Sequence, residues 1–108
     1  MAYDEALAAR IRALPTGEQA VEKKGFGGLM FLIGGNMAVA AASMGDLMVR
    51  CAPDDQDRLA ALGAQPMEMG SRPMRGWLRV PAELTASDHD LSAWVRAGVD
   101  FARTLPPK

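Results

Sequence analysis

The segment from Lys24 to Cys51 constrains the fold of this chain more than any other part of the sequence. It reads KGFGGLMFLIGGNMAVAAASMGDLMVRC, in which short apolar stretches alternate with glycine-containing turns. This pattern predicts consecutive β-strands joined by hairpins, with a tight turn at Gly34-Gly35-Asn36. Such short connections favour antiparallel pairing. The segment offers almost no side chain for catalysis, so it indicates an architecture before it indicates an activity.

Helical patterns flank and interrupt these strands. Apolar residues at three- and four-residue spacing predict a first helix over Tyr3–Leu14. Pro53 and the acidic residues after it predict a second helix, whose buried side comprises Leu59, Ala60 and Leu62. Ser87 is a suitable N-cap for the third and longest helix. In that helix, Gly98 is expected to permit close approach to the sheet.

Three further strands complete the predicted order. Val21–Gly25 reads as a short first strand, and Gln65–Met69 and Trp77–Val80 read as two late strands joined by a loop over residues 70–76. The order is therefore helix, three or four strands, helix, two strands and helix. It predicts a two-layer α+β sandwich with a mainly antiparallel sheet, and 108 residues fit one domain spanning positions 1–108.

Charge and cysteine content restrict the function classes. The 12 basic and 13 acidic side chains give a net charge of −1, which argues against an unaided nucleic-acid binder and gives no reason to expect a membrane partner. The single cysteine, Cys51, excludes an internal disulfide and favours a reducing, cytoplasmic location. Met1–Leu14 lacks the apolar core of a secretory signal, and the apolar run Leu29–Met44 is too interrupted to span a membrane.

No residue pattern in the sequence predicts a catalytic, metal or cofactor site. The glycines of Gly25–Gly28 precede a strand rather than a helix, so a turn or bulge is favoured over a phosphate cradle. Asp54, Asp55 and Asp57 lack the remaining ligands of a calcium loop and are read as helix-capping residues. His89 has no second histidine or cysteine nearby, and Cys51 is read as an inert thiol. We therefore expect a non-enzymatic protein without a cofactor.

The most suggestive surface feature is the sequence SRPMRGW over residues 71–77. Arginine, methionine and tryptophan together are typical of protein interfaces. The alternative is that Trp77 anchors the core while Arg72 and Arg75 are solvated. The candidate interaction surface comprises Lys24, Phe26, Arg50, Arg72, Met74, Arg75 and Trp77.

Four stretches of the chain resemble one known family. EKKGFGGLMFLIGGNMAV, DLMVR, RPMRGWLRV and AWVRAGVDFARTLPPK are similar to the N-terminal domain of the TfoX/Sxy proteins, which include regulators of bacterial natural competence and short stand-alone homologues. The resemblance covers nearly the whole chain. It implies an α-β(3)-α-β(2)-α fold similar to the dimeric secretion chaperones, and it carries no catalytic motif. Full-length competence regulators add a C-terminal domain, so a direct role in competence is not established by the match.

Three hypotheses for function follow. The favoured one is a protein-interaction module, a homodimer with an unidentified protein partner and a role in regulation. The second is a nucleic-acid-associated regulator with a local basic patch of Lys23, Lys24, Arg50, Arg72 and Arg75. The third is a small-molecule binder or enzyme with an arginine-lined cleft between sheet and helices.

Overall fold

A computed structural model describes residues 4–14, 20–25, 28–42, 45–69 and 72–107 of the chain. The helices are α1 (Glu5–Arg12), α2 (Gln56–Ala60) and α3 (Asp88–Arg103); short 3-10 turns over Pro53–Asp55 and Ala82–Thr85 precede α2 and α3. The strands are β1 (Val21–Gly25), β2 (Gly28–Ile33), β3 (Asn36–Ala42), β4 (Leu47–Arg50), β5 (Gln65–Met69) and β6 (Arg72–Val80). All pair antiparallel, in the spatial order β1-β2-β3-β4-β6-β5.

This architecture confirms the predicted α+β class and its antiparallel sheet. Four strands precede α2 where the resemblance implied three, because Val21–Gly25 pairs with β2 as an edge strand. The hairpin between β2 and β3 is also confirmed. Gly34 and Gly35 have φ angles of 59° and 84°, a left-handed conformation that glycine adopts without a steric penalty.

The three helices pack on one face of the sheet. Alternation along each strand directs every second side chain towards them, so Leu29, Phe31 and Ile33 of β2 belong to the main core. The apolar stripe of α3 is buried as predicted, and the Ser87 hydroxyl accepts a hydrogen bond from Asp90 N (3.1 Å). Gly98 allows the predicted close approach, because a Cβ at this position would overlap the carbonyl oxygen of Ala38.

The prediction of a loop over residues 70–76 is wrong from Arg72 onwards, because β6 begins there. Residues 70 and 71 lie outside the described residues. Gly76, predicted as the last residue of that loop, lies within the strand with a φ of 85°, where the β5–β6 register shifts. Its N–H donates to the buried Gln56 side chain (2.7 Å), and its carbonyl accepts from Cys51 N (2.8 Å). A glycine that would normally end a strand is here held in a bulge by its neighbours.

The predicted burial of Leu62 is also wrong. Its side chain is 59% exposed, whereas Leu59 is 4% exposed. The helical period fails at Leu62 because α2 ends at Ala60 and residues 61–63 form a turn. The helices of the described ranges include none that is long and apolar enough to cross a membrane.

Candidate functional site

The face of the sheet opposite the helices carries a second apolar cluster, which we call the methionine face. Alternation produces it: Leu47 and Val49 of β4 point to the helices, whereas Met48 points away from them. Met37, Ala40 and Met48 are its buried centre, and Met30, Leu32, Ala42, Met67 and Trp77 pack around them while partly exposed. Five strands therefore contribute to one continuous surface.

The methionine face is assembled from flexible side chains. Met37 and Met48 are each only 5% exposed, although no helix of the described chain belongs to this cluster. The centre is covered by five neighbouring side chains of the same sheet, which remain partly accessible. Methionine is unbranched and polarisable, so such a surface can reshape itself around a bound partner.

Arg50 lies at the rim of this face, between two aromatic rings. Its guanidinium carbon is 5.1 Å from the centroid of the Trp77 ring and 5.6 Å from that of Phe101. Both distances are within the range of cation–π attraction. Trp77 comes from β6 and Phe101 from α3, so Arg50 links the sheet layer to the helical layer.

Trp77 therefore does not anchor the helix-side core. It packs partly exposed against the methionine face, directly opposite Arg50 in the β4–β6 register. Met74 is half-buried and lies opposite Met67. Among the predicted interaction residues, the structure brings Arg50 and Trp77 into contact. Met74 lies on the same strand as Trp77, β6.

The predicted basic residues do not form one compact patch. Lys24 is exposed on the edge strand β1, in register with Leu29 of the helix-side core, so alternation puts Lys23 on the opposite face. Three strand spacings, about 14 Å, separate β1 from β4, which carries Arg50. Phe26 lies outside the described residues.

The arginines of β6 differ in their engagement. Arg75 is exposed and donates through Nη2 to the Pro53 carbonyl (3.0 Å). Arg79, which was not among the predicted site residues, pairs with Asp46 (2.9 Å) and also donates to the Gln65 side chain. Arg72 is the first residue of β6 and is in register with Met69 of β5. Much of the positive charge near this face is thus already partnered within the chain.

The reactive side chains considered from the sequence do not converge. Cys51 is free and buried; burial raises the pKa of its thiol, and Asp55 raises it further against a smaller opposing effect of Arg58. The His89 ring is almost fully exposed, 3.4 Å from the Asp90 carboxylate. Among the residues that the structure describes, no group of His, Cys, Asp or Glu could hold a metal ion.

Sequence reasoning missed the methionine face apart from Trp77, and it also missed Phe101. Met67 lies in a predicted strand, but its face depends on the β5–β6 register shift, which no local pattern revealed. Phe101 is in the predicted third helix, yet its proximity to Arg50 depends on how α3 crosses the sheet. The local signal that was available is the alternation of Leu47 and Val49 with Met48 and Arg50 along β4.

The chain matches the model of a known protein family. A family model described as the TfoX N-terminal domain matches residues 13–102. The match includes all six strands, α2 and most of α3, and therefore both faces of the sheet. No curated protein is significantly similar to the chain.

Proposed function

This chain belongs to the TfoX N-terminal domain family, and from that membership we propose that it is a non-enzymatic protein-interaction module with a regulatory, competence-related role. The family is one of regulatory and interaction domains. The proposal adds that the chain acts as a homodimer, that its contact surface is the methionine face, and that it works in the cytoplasm. The free, buried thiol of Cys51 is consistent with a reducing compartment.

The methionine face is the observation that carries this proposal. Met30, Leu32, Met67 and Trp77 remain partly exposed side by side, on a sheet face without a helical cover among the described residues. A contiguous exposed apolar surface of this kind is typical of interaction sites. Stacking a second copy on it would bury the same residues in both chains, as a two-fold interface requires.

Charge gives the homodimer a signature that separates it from nucleic-acid binding. Lys23, Arg50 and Arg79 lie on this face of the sheet by register, so two stacked copies would bring like charges together at its rim. Added salt screens this repulsion and is expected to strengthen the dimer. Binding to nucleic acid through the same basic residues would instead weaken with salt, because it depends on phosphate contacts.

Sedimentation velocity over a range of protein and salt concentrations tests the proposal. We expect a concentration-dependent dimer that the double substitution Leu32→Lys/Met67→Lys converts to a folded monomer. Leu62→Lys is the matched control, because Leu62 is exposed on the helical side of the molecule. A strict monomer, with no protein partner recovered in a pull-down, would contradict the proposal.

A salt-sensitive gel shift with random DNA or RNA, together with a monomer in sedimentation, would favour the nucleic-acid hypothesis instead. The observation on which that hypothesis rests is the basic excess on the strands. Circular dichroism of each variant checks that a loss of association is not a loss of folding.

A further inference from the structure

A groove lies between α2 and α3, on the side of the molecule opposite the methionine face. It consists of two adjoining cavities of about 400 and 420 Å³. Arg58, Leu59 and Ala97 line both cavities, so the two form one elongated depression. Along α3 it extends from Asp90 to Thr104, which corresponds to about 20 Å at the helical rise.

The floor of the groove is apolar and its α3 wall is shallow. Leu59 and Trp94 are buried beneath it, whereas Leu62 is 59% exposed at its margin. Ala93 and Ala97, one turn apart on α3, present only methyl groups towards the groove. Small side chains at this spacing allow another backbone to approach α3 closely.

The elements that form the groove carry an excess of negative charge. Residues 53–60 and 82–103 contain seven acidic side chains and three arginines. Asp55, Asp90 and Asp100 line the groove itself together with Arg58, which lies 3.7 Å from Asp55, and Arg103 lies 3.8 Å from Asp100. The methionine face instead carries Lys23, Arg50 and Arg79 by register, so its charge is opposite in sign to that of the groove.

We propose that this groove docks a basic amphipathic helix of a partner protein. Apolar side chains of that helix would contact Leu59, Leu62 and Ala97, and its lysines or arginines would face the carboxylates of Asp90 and Asp100. Helix-in-groove recognition of this kind uses apolar anchors at three- and four-residue spacing. A length of about 20 Å suits a helix of about 14 residues better than a compact small molecule.

A second copy of this chain is a poorer occupant. Among the described helices, α1 has the largest excess of basic over acidic residues, and its arginines are engaged within their own chain. Arg10 donates to the Thr85 carbonyl (2.7 Å) and pairs with Asp88, and Arg12 pairs with Glu22 at 2.6 Å. The groove is also remote from the methionine face, so the inference does not depend on the proposed homodimer.

The first test is an NMR titration of the isotope-labelled protein with synthetic peptides. The probe is a helix-forming leucine/lysine peptide of about 14 residues, and the control is the same peptide with glutamate in place of each lysine. We expect chemical-shift changes that concentrate on Leu59, Leu62, Ala93 and Ala97 with the lysine peptide alone. Equal shifts with both peptides, shifts centred on the methionine face, or no shifts would each overturn the proposal.

Substitutions then separate the groove from the sheet face. Leu62→Lys is expected to weaken peptide binding about tenfold or more, since it removes an apolar contact and adds a repelling charge. The matched variant Leu32→Lys adds the same charge on the methionine face and is expected to leave peptide affinity unchanged. Equal loss from both variants would show a non-specific charge effect and overturn the proposal.

The carboxylates provide an independent measurement. Asp90→Asn and Asp100→Asn together are expected to weaken binding several-fold at low salt, whereas Glu5→Gln on α1 is not. Sedimentation velocity of the Leu62→Lys variant tests whether a second copy of this chain occupies the groove. If this variant alone abolished self-association, a second copy would fill the groove and the partner-helix proposal would be overturned.

Discussion

The two faces of the sheet are built from different apolar side chains. The helix-side face uses mainly Leu, Val, Ile and Phe, which pack against α1, α2 and α3 and are almost fully buried. The methionine face uses mainly methionine and alanine, with several members partly exposed. Branched and aromatic side chains with few rotamers specify one packing arrangement, whereas methionine tolerates many. The first face therefore determines the fold, and the second is suited to contact with a partner.

The largest expected difference between the faces is in the cost of truncating a buried side chain. Leu78 is fully buried against the helices, and Leu78→Ala is expected to lower the free energy of unfolding by about 4 kcal/mol. Met48→Ala on the methionine face is expected to cost about 2 kcal/mol, because flexible neighbours can partly fill the cavity. Urea denaturation of both variants measures this, and equal losses would remove the distinction between the faces.

Gly98 tests how tightly the helix-side face is packed. Gly98→Ala improves helix propensity by about 1 kcal/mol, yet it places a methyl group against the Ala38 carbonyl. We expect a net loss of about 2 kcal/mol in unfolding free energy as α3 is displaced from β3. Ser92→Ala, at a half-buried position of the same helix, is the control. A stabilised Gly98→Ala variant would indicate that the helix-side face also adapts.

Arg50 tests the contact between the two layers. Arg50→Gln removes both cation–π contacts and is expected to cost about 1 kcal/mol of unfolding free energy. The emission of Trp77 should also change, and a Trp94→Phe background isolates that signal. Arg75→Gln, which removes an exposed arginine of β6, is expected to have a smaller effect on both measurements. Indistinguishable results from the two variants would argue that the aromatic contacts add no stability.

The smallest expected effect concerns the Arg12–Glu22 pair, which connects α1 to the edge strand β1. The hydrogen bond from Arg12 lowers the pKa of Glu22 below its ordinary value of 4.5. Because the folded-state pKa of Glu22 is depressed, the pair adds stability at pH values above the unfolded-state pKa. That stability is lost as the pH falls through the folded-state pKa. Because the pair is solvent-exposed, we expect a few tenths of a kcal/mol.

Comparison of wild type with Glu22→Gln across a pH series measures this contribution. The difference in unfolding free energy should be constant near neutral pH and should vanish in acid, below the folded-state pKa. A difference that persisted unchanged in acid would assign the effect to shape rather than charge.

Sequence reasoning succeeded where a local rule decides the structure. The glycines of the β2–β3 hairpin, the Ser87 cap and the close approach at Gly98 each depend on the conformation or size of a single residue. It failed where distant segments decide. Gly76 was assigned to a loop, yet contacts from Gln56 and Cys51 keep it within β6. Leu62 was assigned to a helix that ends earlier.

The candidate site was predicted only in part, for the same reason. Arg50 and Trp77 were selected for their residue types, but their contact requires β4 to pair with β6, and Phe101 completes it from a helix elsewhere in the chain. Lys24 was grouped with them although two whole strands lie between β1 and β4. Position within a sheet depends on strand order, and strand order is not encoded in any local pattern.

The two edge strands have a consequence for how copies of this chain can assemble. β1 exposes Lys23 and Lys24, and β5 contains Pro66, which has no N–H to donate. Charged residues and proline at sheet edges oppose the addition of further strands and so protect against ribbon-like aggregation. Growth of the sheet sideways is thereby disfavoured, and an association of two copies through a face of the sheet would not depend on these edges.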